Sequence, residues 1–221
     1  YFLFPANLLL YGVNDLYDTD TDEHNPKKGG AEHALTDDEH SPLFIATLVL
    51  TGASFIGAAM IPAIAGLFLT GFVVLAWAYS APPLRLKARP VFDSASNILY
   101  ILPGLTGFYL NTGSTPSVLV LIAVALWAMA MHLYSAIPDI QADRQAGLRT
   151  TAVVLGEQRT LAVCLGLWTA FTVLLTAYDP WLIITAVYPV LCADAMLHGK
   201  VAAQYWWYPY INAAFGFTAY W

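Results

Sequence analysis

Four long stretches of this chain, 41–84, 94–138, 160–178 and 201–221, contain no Asp, Glu, Lys or Arg. A helix crossing a bilayer needs about 20 apolar residues. The first two stretches, 44 and 45 residues long, are each two crossings in length. Each carries turn signals near its middle, Gly57 to Pro62 in one and Asn111-Thr-Gly-Ser-Thr-Pro116 in the other. The pattern predicts eight helices, at roughly 1–17, 43–60, 63–81, 94–110, 117–138, 159–178, 181–198 and 204–221. The expected fold class is all-α, a polytopic transmembrane helical bundle forming a single domain over 1–221. The chain opens at Tyr1, without a Met and already inside an apolar run, so further residues upstream are expected. Neither a signal peptide nor a linker to a second domain is visible.

Composition agrees with that pattern and excludes whole classes. Hydrophobic residues make up 58% of the chain and charged residues 11%, against about 25% charged in a soluble domain. A water-soluble globule could not hide this much apolar surface. The net charge of −6 and the absence of a basic stripe argue against nucleic acid as a partner. Cys164 and Cys192 both sit inside apolar runs and are read as small buried hydrophobes.

The charges that remain fall on one side. Counting crossings puts loops 18–42, 82–93, 139–158 and 199–203 on the same face of the membrane. That face receives all nine basic residues, Lys27, Lys28, Arg85, Lys87, Arg89, Arg144, Arg149, Arg159 and Lys200. Under the positive-inside rule it is cytoplasmic, and a plasma-membrane location is expected. The acids lie there too, except Asp179, with Asp194 near an inner helix end. A transporter should carry ionisable groups or broken helices near the midplane. One-sided charge favours an enzyme that meets a lipid-dissolved substrate at the interface.

Two acidic clusters stand out. The first helix runs into Asn14-Asp15-Leu-Tyr-Asp18-Thr-Asp20-Thr-Asp22-Glu23, in which Asn14, Asp18 and Asp22 recur every four residues along one helix face. Five acids in nine residues at a helix C-terminus repel one another and oppose the helix dipole, which is costly without a cation. Asp20 and Glu23 read as an ordinary solvated loop. The fifth predicted helix ends in Asp139-Ile-Gln-Ala-Asp143, which repeats the four-residue spacing 121 residues after Asp18, four helices on. This looks like an internal duplication in which each half supplies one acidic pair. Facing pairs of hard oxygen ligands suit Mg²⁺, which binds through one or two carboxylates plus substrate phosphates.

The basic loops supply the complement. Lys27 and Lys28 follow the first cluster, Arg85 and Lys87 follow the third helix, and Arg144 and Arg149 follow the second acidic pair. Arg is suited to bidentate contacts with a diphosphate. Each of these residues is equally readable as a headgroup anchor, and Lys200 reads as no more than that. Tyr79 and Tyr134 suit either a phosphate or the interfacial aromatic belt. Loop 23–42 is a candidate cap. His132 is either a satisfied bundle histidine or a base, and Ser96 and Asn97 are candidate polar contacts between helices.

Asn14-Asp15-x-x-Asp18-x-x-x-Asp22 together with Asp139-x-x-x-Asp143 resembles the paired aspartate motifs of the UbiA superfamily of intramembrane prenyltransferases, and the resemblance runs the length of the chain. Members of that superfamily have nine transmembrane helices around a central cavity under a cytoplasmic cap, so eight of nine are expected here. Three stretches look like the lycopene elongase branch: Asn25-Pro-Lys-Lys-Gly-Gly30, Tyr79-Ser-Ala-Pro-Pro-Leu-Arg85 with Arg89-Pro-Val-Phe-Asp93, and Trp127-Ala-Met-Ala-Met-His132 running into Ser135-Ala-Ile-Pro-Asp139. The resemblance implies that Asp18, Asp22, Asp139 and Asp143 are catalytic and, with Asn14 and Asp15, hold Mg²⁺. It implies that Lys27, Lys28, Tyr79, Arg85, Lys87, Tyr134, Arg144 and Arg149 bind the diphosphate of a prenyl donor such as dimethylallyl diphosphate. The acceptor it implies is lycopene, taken from the bilayer toward C45 and C50 carotenoids, in a pocket for which Trp127, Met131, Phe108 and Tyr109 are candidates. Alternatives are an aromatic or quinone-precursor acceptor or, in a different class, a metal-binding membrane transporter.

Overall fold

The computed structural model describes residues 1–18 and 35–220, with the side chains of 217–220 excepted; Asp22, Lys27 and Lys28 lie outside the described residues. The described secondary structure is helical throughout. Helices α1 (Pro5–Leu16), α2 (Asp37–Met60) and α3 (Ala63–Ser80) make the first three passes. A short helix α4 (Phe92–Ala95), a 3₁₀ segment (Ser96–Tyr100) and α5 (Leu102–Thr112) share the fourth. Helix α6 (Val118–Ala136) is the fifth, and short helices α7 (Ile140–Gln145) and α8 (Thr151–Leu155) lead to α9 (Glu157–Tyr178). A 3₁₀ segment (Pro180–Ala186) runs into α10 (Val187–His198), then come α11 (Val201–Tyr205) and α12 (Tyr208–Tyr220).

Five of these segments are long and apolar enough to cross a membrane individually: α2, α3, α6, α9 and the stretch Pro180–His198. Only 17% of the apolar window of α2 is buried inside the protein, so most of that helix has to meet lipid. The protein is an integral membrane protein. Helix α2 starts at Asp37, six residues before the start predicted at 43, and takes the end of the candidate cap loop into its first turn. The cause is local. The Thr36 N–H and hydroxyl both donate to the Glu39 carboxylate, at 3.0 and 2.7 Å, and Asp37, Asp38 and Glu39 sit where the helix dipole favours acids. The seventh pass begins as 3₁₀ over Pro180–Ala186, and Pro189 sits in the first turn of α10, where a missing N–H is tolerated.

The bundle has two cores. One is built by Ala6, Leu9, Leu10 and Val13 of α1 against Phe72, Val73 and Ala76 of α3, with Leu99 below them. The other is aromatic. The Trp168 ring lies 5.2 Å from Tyr208, 5.5 Å from Tyr134 and 5.8 Å from Tyr188, all nearly or wholly buried. Inside a bilayer, close packing and polar contacts rather than water exclusion hold helices together. Cys164 and Cys192 serve that purpose as free thiols, each directing its sulfur to a backbone carbonyl of the neighbouring helix, Ala130 and Leu161. Ser96 directs its hydroxyl to the Phe92 carbonyl and bonds along its own segment, whereas Asn97, besides donating its amide to the Asp93 carbonyl, hydrogen-bonds Tyr79 of α3 and so joins two helices.

The α2–α3 hairpin has no slack. A Cβ on Gly66 would stand 2.3 Å from the Ala58 carbonyl oxygen, so the two backbones touch there, whereas one on Gly57 would meet nothing within 4 Å. Gly66→Ala is therefore expected to cost about 1–3 kcal/mol by overpacking. Its thermal unfolding midpoint in detergent should fall by several degrees, and that of Gly57→Ala should not.

Candidate active site

The charged helix ends converge on the seam between the two cores. On one side the turn beyond α1 carries Asp18. On the other, α6 ends at Ala136 and Asp139 starts α7, which carries Asp143 one turn later. Burial pushes the Asp143 carboxyl up to about 6, and the neighbouring Asp139 charge adds to the rise. The Thr150 hydroxyl, donating to Asp143 Oδ2 at 3.3 Å, pulls it back. Asp18 and Asp93 contribute smaller repulsions, so the two acidic groups face each other across one cleft. Asp15 is half-buried about 100° round α1 from Asn14.

A cation already bridges the first acidic group. Lys87, only 8% exposed, pairs its ammonium with Asp18 Oδ1 and also donates to Asn14 Oδ1 at 3.5 Å. The Ser80 hydroxyl donates to the same Asn14 oxygen at 3.0 Å. Arg85 directs Nη2 to the Tyr17 carbonyl at 3.4 Å, and its own backbone takes a left-handed conformation with φ 39°. Arg144 and Arg149 are exposed at the same end of the bundle.

The residue that locks the seam is Asp93, which the sequence reading quoted but gave no role. It is fully buried. Its carboxylate accepts from the Ser94 N–H at 2.8 Å, the Thr151 N–H at 2.6 Å and the Thr151 hydroxyl. That hydroxyl in turn accepts from the Val91 N–H at 2.6 Å. Val91 is β-branched at φ 73°, a conformation costing about 1–3 kcal/mol that persists only where its surroundings impose it. The network ties the basic loop of the first half to the start of α8 in the second.

Beneath the cleft lies a cavity of about 290 Å³ whose walls include Tyr79, Asn97, Trp127, Met131, His132 and Tyr205. Tyr79 and His132 meet edge to face at 6.2 Å. Of the four residues expected to form an acceptor pocket, Trp127 and Met131 line this cavity. Phe108 does not line this cavity and is 42% exposed on the bundle surface; Tyr109 does not line it either. Tyr134 is also misplaced for a diphosphate ligand. It points into the aromatic core, and its hydroxyl donates to Gln204 Oε1 at 3.2 Å, because the helical period turns position 134 away from the cavity face that carries Met131 and Ser135.

The donor set suits a divalent cation of the Mg²⁺ kind. It is all oxygen, it comes from both halves, and the ammonium between Asn14 and Asp18 shows that one side already attracts positive charge. Among the described residues no three His, Cys, Asp or Glu side chains form a closed cage. An open set suits an ion that takes further oxygens from a phosphate.

Apolar helices, one charged end and a cleft of opposed carboxylates above an aromatic cavity define an integral membrane protein with its polar groups gathered at one site. The comparisons with known proteins name its family. The UbiA prenyltransferase family model matches residues 2–220, and the chain belongs to that family; it is a prenyltransferase. It is 44% identical over 218 residues to the lycopene elongase/hydratase of Haloferax volcanii, spanning 98% of this chain and 72% of that protein. With the lycopene elongase/hydratase of Halobacterium salinarum it shares 44% over 220 residues, 98% of this chain and 78% of that one. The structure of a UbiA homolog from Archaeoglobus fulgidus bound to GPP and Mg²⁺ superposes with a TM-score of 0.72 at 23% identity, covering 87% of this chain and 73% of that one. That likeness is one of fold.

Two stability effects follow from the site. A raised carboxyl favours the protonated form in the fold, so stability present below about pH 4 is lost as the pH rises through about 6. In EDTA, Asp143→Asn should therefore unfold at a higher temperature than wild type at pH 7.5, with the gap closing as the pH falls toward 4. Asp93→Ala strands the Ser94 and Thr151 N–H groups at about 1–3 kcal/mol each. It should lower the unfolding midpoint by about 5–10 °C.

Proposed function

We propose that this prenyltransferase moves the prenyl group of an allylic diphosphate, of which dimethylallyl diphosphate is the smallest, onto lycopene in the bilayer. Water then adds to the resulting cation, in the formation of C45 and C50 carotenoids. The observation that carries the reading is the stacking of a carboxylate and lysine cleft directly above an apolar, aromatic cavity. Relatives 44% identical named lycopene elongase/hydratase support both the acceptor and the hydration.

Asn14, Asp18, Asp139 and Asp143 would hold Mg²⁺, with Asp15 near them and Asp22 outside the described residues. When bound, the ion supplies positive charge for the departing diphosphate. Lys87 and Arg85 bring fixed positive charge to the same mouth, where negative charge grows on the leaving group as the C–O bond breaks. Arg144 and Arg149 belong to the same electropositive rim in this reading, and Lys27 and Lys28, outside the described residues, are proposed for the diphosphate from the sequence alone. Tyr79 lines the cavity within electrostatic reach of Asp93 and Asp18, and Trp127 and Met131 would present apolar surface to an acceptor that has no polar group to recognise. The low-dielectric walls keep bulk water from the allylic cation until the acceptor double bond attacks it. Because the basic residues gather at the cleft end, that end faces the cytoplasm, and the plasma membrane is the proposed location.

Membranes containing the protein, given lycopene, dimethylallyl diphosphate and Mg²⁺, should form carotenoids heavier by one or two five-carbon units. EDTA should abolish them, and Asp139→Ala should lower turnover by at least about a hundredfold while leaving the protein inserted. Unchanged product formation by purified Asp139→Ala would refute the carboxylate assignment. Product from an aromatic acceptor alone would replace lycopene in this reading.

A further inference from the structure

The tertiary cation left on the acceptor after carbon–carbon bond formation has to be quenched inside the membrane. From the placement of one side chain we infer that His132 is the general base that takes the proton from the water that captures it. This rests on the proposed hydration of a lycopene end group.

His132 lies on α6, one turn before the helix ends at Ala136; a turn of Ile137 and Pro138 then leads to Asp139 at the start of α7. At about 1.5 Å per residue His132 is about 6 Å from the end of α6. Ser135 lines the same cavity as His132. A prenyl donor whose diphosphate is held at the carboxylates would extend its chain past the end of α6 into that cavity.

Other polar groups of that wall are poor bases or already engaged. The hydroxyls of Tyr79, Tyr100 and Tyr205 are phenols, which accept protons weakly. Ser135 donates its hydroxyl to the His132 backbone carbonyl at 2.8 Å, and the Asn97 amide donates to the Asp93 carbonyl at 2.6 Å. Among the described residues neither ring nitrogen of His132 has a hydrogen-bond partner, and its one ring contact is the edge of Tyr79. An imidazole with an unspent lone pair in a cavity of about 290 Å³ has room for one water beside a hydrocarbon.

The step balances. The acceptor's π electrons form the new carbon–carbon bond, and the C–O bond of the donor breaks with its electron pair leaving on diphosphate. The positive charge moves to the tertiary carbon of the acceptor. The water oxygen bonds to that carbon while an imidazole nitrogen takes one of its protons, and the imidazolium later gives that proton to the diphosphate product. The sum is acceptor, donor and water going to tertiary alcohol and protonated diphosphate. Without the base, the cation sheds a proton from a neighbouring carbon and gives an alkene lighter by one water.

The test is the ratio of alcohol to alkene, separated by chromatography and mass, from wild type and His132→Gln with lycopene, dimethylallyl diphosphate and Mg²⁺. The ratio does not depend on how much of the variant folds. His132→Gln should lower it by about a hundredfold while prenyl diphosphate is still consumed. Added imidazole should restore alcohol in His132→Ala, which a purely structural histidine would not allow. Wild type forming elongated carotenoid, with His132→Gln giving an unchanged ratio, overturns the role of His132 and leaves the proposed function standing. Wild type forming no elongated carotenoid overturns both.

Discussion

Carboxylates gathered at the end of an apolar bundle repel one another in a poorly screened setting, and much of the surrounding structure offsets that repulsion. Asp143 shows the repulsion directly, since its carboxyl is lifted to about 6 by burial and by Asp139, with Asp18 and Asp93 adding to the rise. The offsets are local and specific. Lys87 is folded in from the third pass onto Asp18 and Asn14. Thr150 donates to Asp143, and Thr151 and Ser94 satisfy Asp93. A cleft held together in this way favours whatever brings more positive charge, and the proposed substrate arrives with a metal ion to do so.

The same arrangement separates the chemistry by depth. Charge sits at the helix ends, where ions are still accessible, and the aromatic cavity begins one to two turns below. In the proposed reaction a diphosphate and a hydrocarbon would meet along one axis without either entering the other's environment. His132 lines that cavity one turn before the end of α6, which is the position the proposed water-activating base requires.

Asp93 shows how two bundles with separate cores become one site. Each core packs on its own residues, α1 against α3 in one and the ring cluster around Trp168 in the other. Neither core orients the acidic groups relative to each other. The buried carboxylate does, by binding the N–H and hydroxyl of Thr151 across the seam, and the unfavourable backbone at Val91 is held by the same contact.

The helices were legible in the chain because their cause is one-dimensional: uncharged runs long enough to cross a bilayer, broken by Gly, Pro and polar turns. The four-residue spacing was legible, and it puts Asp139 and Asp143 one turn apart at the start of α7, but α1 ends at Leu16, so Asp18 is carried by the turn beyond it and not by a continuing helix face. Boundaries set by side-chain caps were read less well, as at Thr36 and Glu39, where a hydrogen-bonded turn extends the helix into charged sequence. What linear spacing could not convey was which residues from distant segments meet. Tyr79 and Tyr134 looked equivalent in sequence, yet one lines the cavity and the other is buried against Trp168, because helix rotation is decided by packing partners. The pairing of Asp93 with Thr151, 58 residues apart, and of Lys87 with Asp18, 69 residues apart, likewise exists only once the two halves close on each other.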